Sequence, residues 1–393
     1  MLVRAGRRKT LVPWGDAGPA AAASTLGNGR TWPDMVGRAR TWSKQPSTRP
    51  RARYGLLDRA LEHGLLPDRV LAAGSRVGAR ARVRRERRGG VEEQERRLGE
   101  LVETMRSGPI AESVARANEQ HYELAPEFFE LFLGPRLKYS CGWWGDGITD
   151  LALAEEAMLA LSCERAGIEN GMSVLDLGCG WGSMSLWICE RYPQANVVAV
   201  SNSASQRAWI ESVRDRRGFR DRLTVNTADI NSFDPGRRFD RVVSIEMFEH
   251  MRNWEALLAR IAGWLEPDGR LFVHVFSHRS LAYEFAGTWA AERFFTAGRM
   301  PSHELLLRFQ RDLEVRASWA LSGTHYARTL SAWLERLDAH SGRALIVLGD
   351  ALGERRAARA LAGWRLFLLS TEQMWGWLDG QEWMVSHHLL APR

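Results

Sequence analysis

The sequence predicts an α/β fold on a doubly wound parallel sheet, and three observations between about residues 173 and 280 predict it. Short apolar runs rich in Val and Ile recur, stretches of helical pattern separate them, and a Gly-rich turn follows the first run. Strands alternating with helices argue for parallel pairing, because a parallel connection has to cross over the sheet. A ligand then belongs at the carboxyl ends of the strands.

The first strand, turn and helix lie in "SVLDLGCGWGSMSLWICERY"; "ANVVAVSNS", "LTVNTADI", "FDRVVSIEMF" and "GRLFVHVF" are the second to fifth strands. "ASQRAWIESVRDRRG" and "WEALLARIAGWLEPDG" are helical stretches between them. Ahead of the sheet, residues 54–71 are helical in pattern, and "RVGARARVRRERRGGVEEQERRLGELVETM" reads as a basic segment running into a charged helix. Residues 1–50 mix Gly, Pro, Ala, Ser and Arg without periodicity and are expected to be a disordered basic leader. The expected division is a leader (1–50), a helical segment (51–104) and a main body (105–393).

Composition narrows the function. No apolar run in the 393 residues reaches the roughly 18 that a membrane span needs. The net charge of +7 is local: residues 1–90 hold about 20 Lys+Arg against about 6 Asp+Glu, so the rest of the chain is mildly acidic. Without aromatic residues among those arginines, nucleic acid is not expected as a partner; a solvated helix face, or a peripheral contact with anionic membrane, accounts for them. Cys141, Cys163, Cys179 and Cys189 show no C-x-x-C spacing and no clean secretory leader precedes them, which points to a reducing cytoplasm. No metal site is assigned.

The turn after the first strand carries the cofactor evidence. Gly178, Gly180 and Gly182 in "DLGCGWG" let backbone approach a ligand at a helix N-terminus, but their spacing departs from the dinucleotide pattern. Asp176 before the loop suits a cationic ligand better than a phosphate. A positively charged nucleoside, S-adenosylmethionine, fits both.

Together "VLDLGCGWGSMSLW", "NEQHYELAPEFFELFLGPRLKYSC", "SIEMFEHM" and "GTHYARTLSAW" resemble the cyclopropane fatty-acid synthase family of S-adenosylmethionine-dependent methyltransferases over roughly residues 105–393. "IEMFEHMRNW", "LFVHVFSH" and "FFTAGRMPS" are similar to its coclaurine N-methyltransferase-like branch. The resemblance implies a class I methyltransferase, Rossmann-like, with a seven-stranded sheet whose last strand is antiparallel. "LEVRASWALSG" and "QEWMVSHHLL" would supply strands six and seven, and residues of about 105–165 and 280–315 a helical cap. It also implies cofactor contacts at Tyr122, Tyr139, Ser140, Asp176, Gly178, Gly180, Ser201, Asn202, Gln206, Asp229, Ile230 and Ile245.

Glu246, Glu249 and His250 fall within five positions just past the fourth strand. Methyl transfer displaces a sulfonium in line, so the enzyme has to bring a nucleophile within about 3–3.5 Å and exclude water. An alkylamine of pKa about 10 is only about one part in a thousand neutral at pH 7, so a base that collects its proton helps. Carboxylates beside an imidazole suit that task and also hold the ammonium by charge-assisted hydrogen bonds. The plainer alternative is that Glu249 caps a helix and Glu246 is solvated. Lipid-modifying members of the family attack an alkene instead, and the resemblance implies that a bicarbonate ion, held by Glu249, His274 and Tyr326 with Cys141 nearby, then takes the proton. All four residues are present, so an unsaturated lipid remains the competing substrate, but Glu246 replaces the small residue usual in the lipid enzymes. A binding protein without chemistry would show damage to the glycine loop or the acidic pair, and neither is damaged. Trp143, Trp144, Trp289, Trp375 and Trp377 are candidates for an aromatic substrate wall, though large aromatics are more often core. A homodimer is compatible with the sequence.

Overall fold

The computed structural model describes residues 64, 66–112, 124–285, 293–294 and 298–393. The expected leader, Tyr122 and Trp289 lie outside them. Five apolar runs become parallel strands: β1 (Ser173–Leu177), β2 (Asn196–Ser201), β3 (Leu223–Thr227), β4 (Phe239–Ile245) and β5 (Leu265–His278). Val174, Leu175 and Leu177 are buried, as a parallel strand covered on both faces requires. β9 (Trp383–Pro392) lies antiparallel to β5, pairing His387 with His274, and β8 (Leu313–Ser322) pairs antiparallel outside it. The sheet order is β3-β2-β1-β4-β5-β9-β8, so the seven strands and the antiparallel last strand are as expected.

The helices that start at the carboxyl ends are capped locally. Ser203 accepts from the Gln206 N–H at the start of the helix Ala204–Arg216, and Asn253 from the Ala256 N–H (2.9 Å) at the start of Trp254–Trp264. The helix expected over 254–269 ends earlier, at Trp264. "EPDG" instead forms an irregularity at the start of β5, where the register steps from Phe239↔Leu265 to Arg241↔Arg270. Pro267 offers no N–H to a helix, and a Cβ at Gly269 would sit 2.9 Å from the Glu266 carbonyl oxygen.

Two further expectations are refined. The charged helix is present as α2 (Gly90–Thr104), and the basic segment ahead of it is itself helical as part of α1 (Asp68–Glu86), the two broken where Gly89 and Gly90 both take positive φ. α1 sends Ala79 and Val83 into an apolar cluster with Phe128, Phe129, Trp333 and Trp364, while α2 sends Leu101 and Val102 into the cluster under β4 and β5. Second, the described part of 280–315 is α-helical only at residues 293–294, where Phe294 stacks on Phe367 with ring centres 4.3 Å apart; residues 286–292 and 295–297 of the expected cap lie outside the described residues. It also holds a two-stranded ladder, β6 (Tyr283–Glu284) with β7 (Arg299–Met300), and a 3-10 turn over Leu305–Arg308. Three helices inserted between β8 and β9, α8 (Gly323–Ala339), α9 (Ser341–Leu352) and α10 (Glu354–Trp375), pack against α3 (Pro126–Phe132) in the same apolar cluster as Phe294. Each buried Phe of α3 contributes about 1.5–3 kcal/mol to that packing.

Candidate active site

A cavity of about 130 Å³ opens at the carboxyl ends of β1–β4, where a ligand of an open α/β sheet is expected. Gly178, Gly180, Ser201, Asn202, Gln206 and Ile230 line one side of it, and Glu246, Met247 and His250 another. Gly178 (φ 86°) turns the chain where a Cβ would press on Met247 at 3.0 Å; Gly180 (φ 52°) stands beside open space. Ser201 Oγ donates to Gln206 Oε1 (2.6 Å), which fixes that amide, yet Gln206 Nε2 is buried without a partner among the described residues. An amide donor held in this way at the cavity wall fits a polar nucleoside, and S-adenosylmethionine fits the set: glycine backbone, neutral polar groups and carboxylates for its cation.

Other expected cofactor residues are elsewhere. Asp176 is absent from the cavity wall. Its Oδ2 accepts from Ser185 Oγ (2.6 Å), and burial pushes its carboxyl up to about 6, so it ties β1 to the following helix (Ser183–Arg191) instead of offering a counter-charge. Tyr139 packs edge-on against Phe129 and Phe132, and Ser140 Oγ lies 2.5 Å from Lys138 Nζ. Asp229 is exposed and accepts from the Asn231 N–H (2.9 Å); Ile245 joins the apolar cluster on the β1–β3 side of the sheet.

Glu246 follows β4 with φ 49°, a conformation non-glycine residues adopt rarely, and its side chain is nearly fully buried. A solvated Glu246 is therefore excluded. Its Oε1 accepts from the Cys141 N–H (3.0 Å) and lies 3.2 Å from His274 Nε2, while Tyr326 Oη donates to Oε2 (2.6 Å). Burial pushes the Glu246 carboxyl up; Lys138 and these donors oppose the rise. Burial, with Lys138 and Arg165 nearby, holds His274 well below the usual imidazole range, so a neutral ring faces Glu246.

Glu249 is 1% exposed, and neither of its carboxylate oxygens has a partner among the described residues. It caps no helix. Burial and then the Glu246 charge push its carboxyl well above the usual range, whereas burial pushes His250 down to about 4. Burial thus raises both carboxyls, Glu249 further than Glu246 because the Glu246 charge adds to it, while the His250 imidazole is neutral at neutral pH.

Several functional groups escaped the sequence reading. Lys138 is fully buried beneath the site, its Nζ donating to the Cys141 carbonyl (2.8 Å) while the Cys141 N–H serves Glu246. Glu155 organises this loop by accepting from the Gly134 and Arg136 N–H groups (3.0 and 2.9 Å). His387 stands behind His274, with 2.8 Å between Nε2 and Nδ1. A lysine inside "LKYSC" and a His pair inside an apolar strand were the available signals. Of the expected aromatic wall, Trp375 stacks on Tyr326 at 4.8 Å and Trp143 on His325 at 4.1 Å. Trp144 Nε1 is bound to Thr329, and Trp377 packs on Trp383.

Comparisons with known proteins agree with this geometry. The family model of mycolic acid cyclopropane synthetase matches residues 111–372. (S)-coclaurine N-methyltransferase of Thalictrum flavum subsp. glaucum is 38% identical over 341 residues, 85% of this chain and 94% of that protein. A crystal structure of coclaurine N-methyltransferase bound to N-methylheliamine and SAH superposes with a TM-score of 0.82 at 38% identity, covering 85% of this chain and 98% of that one. The cyclopropane-fatty-acyl-phospholipid synthase of Escherichia coli (strain K12) is 31% identical over 220 residues, 56% of this chain and 55% of that protein. With the sheet order, the glycine turn and the family match in agreement, the chain belongs to the mycolic acid cyclopropane synthetase family of S-adenosylmethionine-dependent methyltransferases.

Proposed function

We propose that the protein methylates the nitrogen of a small amine. One observation carries this reading: the Glu246 carboxylate occupies the cradle of the Cys141 N–H, His274 and Tyr326. Alkene chemistry needs those groups free for bicarbonate. Here a fixed carboxylate has taken their hydrogen bonds, and an ammonium is the partner that a buried carboxylate pair lacks. The similarity to amine methyltransferases over most of the chain supports the same reading.

In this scheme Gly178, Gly180, Ser201, Asn202 and Gln206 hold the cofactor, which supplies an electrophilic methyl on sulfur and leaves as S-adenosylhomocysteine. Glu246 binds the acceptor as its ammonium, with Glu249 beside it. The ammonium's proton passes to the His250 imidazole, which frees the lone pair to form the N–C bond as the S–C bond breaks. Lys138 keeps Glu246 ionised by compensating its buried charge. The body of 105–393 carries this chemistry, with α1 and α2 as bracing helices.

The test compares Glu246→Gln with His274→Ala across pH, on a secondary amine and on unsaturated phospholipid. Glu246→Gln is expected to lower turnover of the amine by about 10²- to 10⁴-fold, the usual range for lost general-base assistance, with partial rescue as pH rises and more amine arrives neutral. A silent Glu246→Gln, with a cyclopropanated lipid lost in His274→Ala, would replace this reading with the lipid one.

A further inference from the structure

Behind Glu246 runs a chain of hydrogen bonds whose direction is fixed at its far end. Arg165 on α4 (Leu151–Ala166) has a guanidinium nitrogen 2.8 Å from His387 Nδ1. A guanidinium only donates, so His387 Nδ1 must accept. His387 is fully buried and surrounded by Arg165, Lys138, His274 and His388, which with burial keep it neutral. A neutral ring that accepts at Nδ1 carries its proton on Nε2, 2.8 Å from His274 Nδ1. His274 must then accept at Nδ1 and carry its own proton on Nε2, facing Glu246 Oε1 at 3.2 Å.

We propose that Arg165 and His387 are positioning residues for methyl transfer: they set the tautomer of His274 so that an N–H, and not a lone pair, meets the Glu246 carboxylate. This inference rests on the amine reading, in which Glu246 works as a carboxylate. The reverse orientation would put a ring lone pair against Glu246 and favour its protonated form. The chain also ends at a group that cannot accept a proton, so it holds the carboxylate and does not drain protons from it. The pieces are rigidly placed: Phe272 lies against His387 with ring centres 5.0 Å apart, and Arg165 stacks over Trp319 at 4.9 Å. Charged or titratable groups facing the chain are Glu164 beside Arg165, Lys138, His388, and, at the Glu246 end, Cys141, Glu249, His250 and Tyr326.

Two readouts on the full chain test this. First, ¹⁵N-histidine spectra, assigned with His274→Gln and His387→Gln, should show both rings protonated at Nε2 and bare at Nδ1; a proton on Nδ1 of either ring overturns the proposal. Second, Arg165→Met keeps bulk at the half-buried end of the chain and removes its donor. It should lower kcat for an amine by about 10- to 100-fold, as loss of a group that orients a functional histidine does. The acid limb of the kcat/KM profile should move to higher pH, because Glu246 loses help in staying charged. Arg165→Lys should restore much of the rate. In a His274→Ala background Arg165→Met should be silent; an equal loss there, or an unmoved acid limb, overturns the proposal. If no amine takes a methyl group yet the spectra show the two stated tautomers, the amine reading fails and the assignment of the chain stands.

Discussion

Past β1, β2 and β3 the site is walled by glycine backbone and neutral side chains, whereas past β4 and β5 it gathers Glu246 and His250 at the cavity wall with Lys138, Glu249 and His274 buried behind them. The first wall is assembled from short contiguous stretches: the glycine loop, and Ser201 to Gln206. The second draws on the loop before α4, the ends of β4 and β5, the first turn of α8, and β9. Buried charges cost several kcal/mol each unless partnered, so the second wall needs many partners, and these come from far along the chain. On the proposed function, recognition of the cofactor is thus a local device, and activation of the acceptor is a property of the whole fold.

The largest effect should follow from breaking the first wall. Gly180→Val would put a β-branched residue at φ 52°, a strained conformation, and fill open space at the cavity side. Calorimetry should show no measurable binding of S-adenosylhomocysteine in a folded variant; unchanged affinity would remove the glycine turn from the cofactor site. A smaller loss should come from trimming the second wall. Tyr326→Phe keeps the ring that stacks on Trp375 but withdraws a donor from Glu246 Oε2. Hydrogen bonds to charged groups contribute about 1.5–3 kcal/mol, so kcat/KM should fall roughly 10- to 100-fold. With one donor fewer Glu246 protonates more easily, so the acid limb should move up, and a profile of unchanged shape would show that Tyr326 acts elsewhere. Cofactor affinity should stay as it was, which separates the two walls.

The smallest effect concerns Asp176, a buried carboxyl in the neutral wall. Its value rises from 3.8 to about 6 through burial, so the folded protein favours the protonated form by roughly 3 kcal/mol. The sign follows from linkage: this contribution is fully present below about pH 4 and is lost as pH rises through about 6. Asp176→Asn can keep the Ser185 bond and should remove that decline. Denaturant titrations of both proteins from pH 4 to 7 should converge at the acid end and separate toward neutrality, with the variant more stable; parallel curves would mean that Asp176 is solvated.

The same contrast explains what could be read in advance. β1–β5 were legible because each is a short apolar run closed by a turn, and Ser201, Asn202 and Gln206 because they follow one strand. Glu246, Glu249 and His250 stood out as charges after an apolar run. Arg165 and His387 did not: they are 222 positions apart, and no periodicity links α4 to β9. Lys138 and Glu155 were hidden for the same reason, since their partners are mainly backbone groups of a loop. The bond of Asp176 to Ser185 was not legible, because sequence order does not distinguish a strand residue that points toward the ligand loop from one that points toward the sheet's own helix. The part that α8–α10 play was not legible because they carry their apolar face toward α3, a pairing across some 200 residues such as Arg336 with the Phe132 carbonyl.

The most direct measurement of the central claim is the destination of the methyl group. Full-length protein incubated with methyl-labelled S-adenosylmethionine, a panel of secondary amines and vesicles of unsaturated phospholipid should place the label on amine nitrogen, with none in the lipid fraction. Label recovered in cyclopropanated or methyl-branched acyl chains, with the amines unlabelled, would contradict the account.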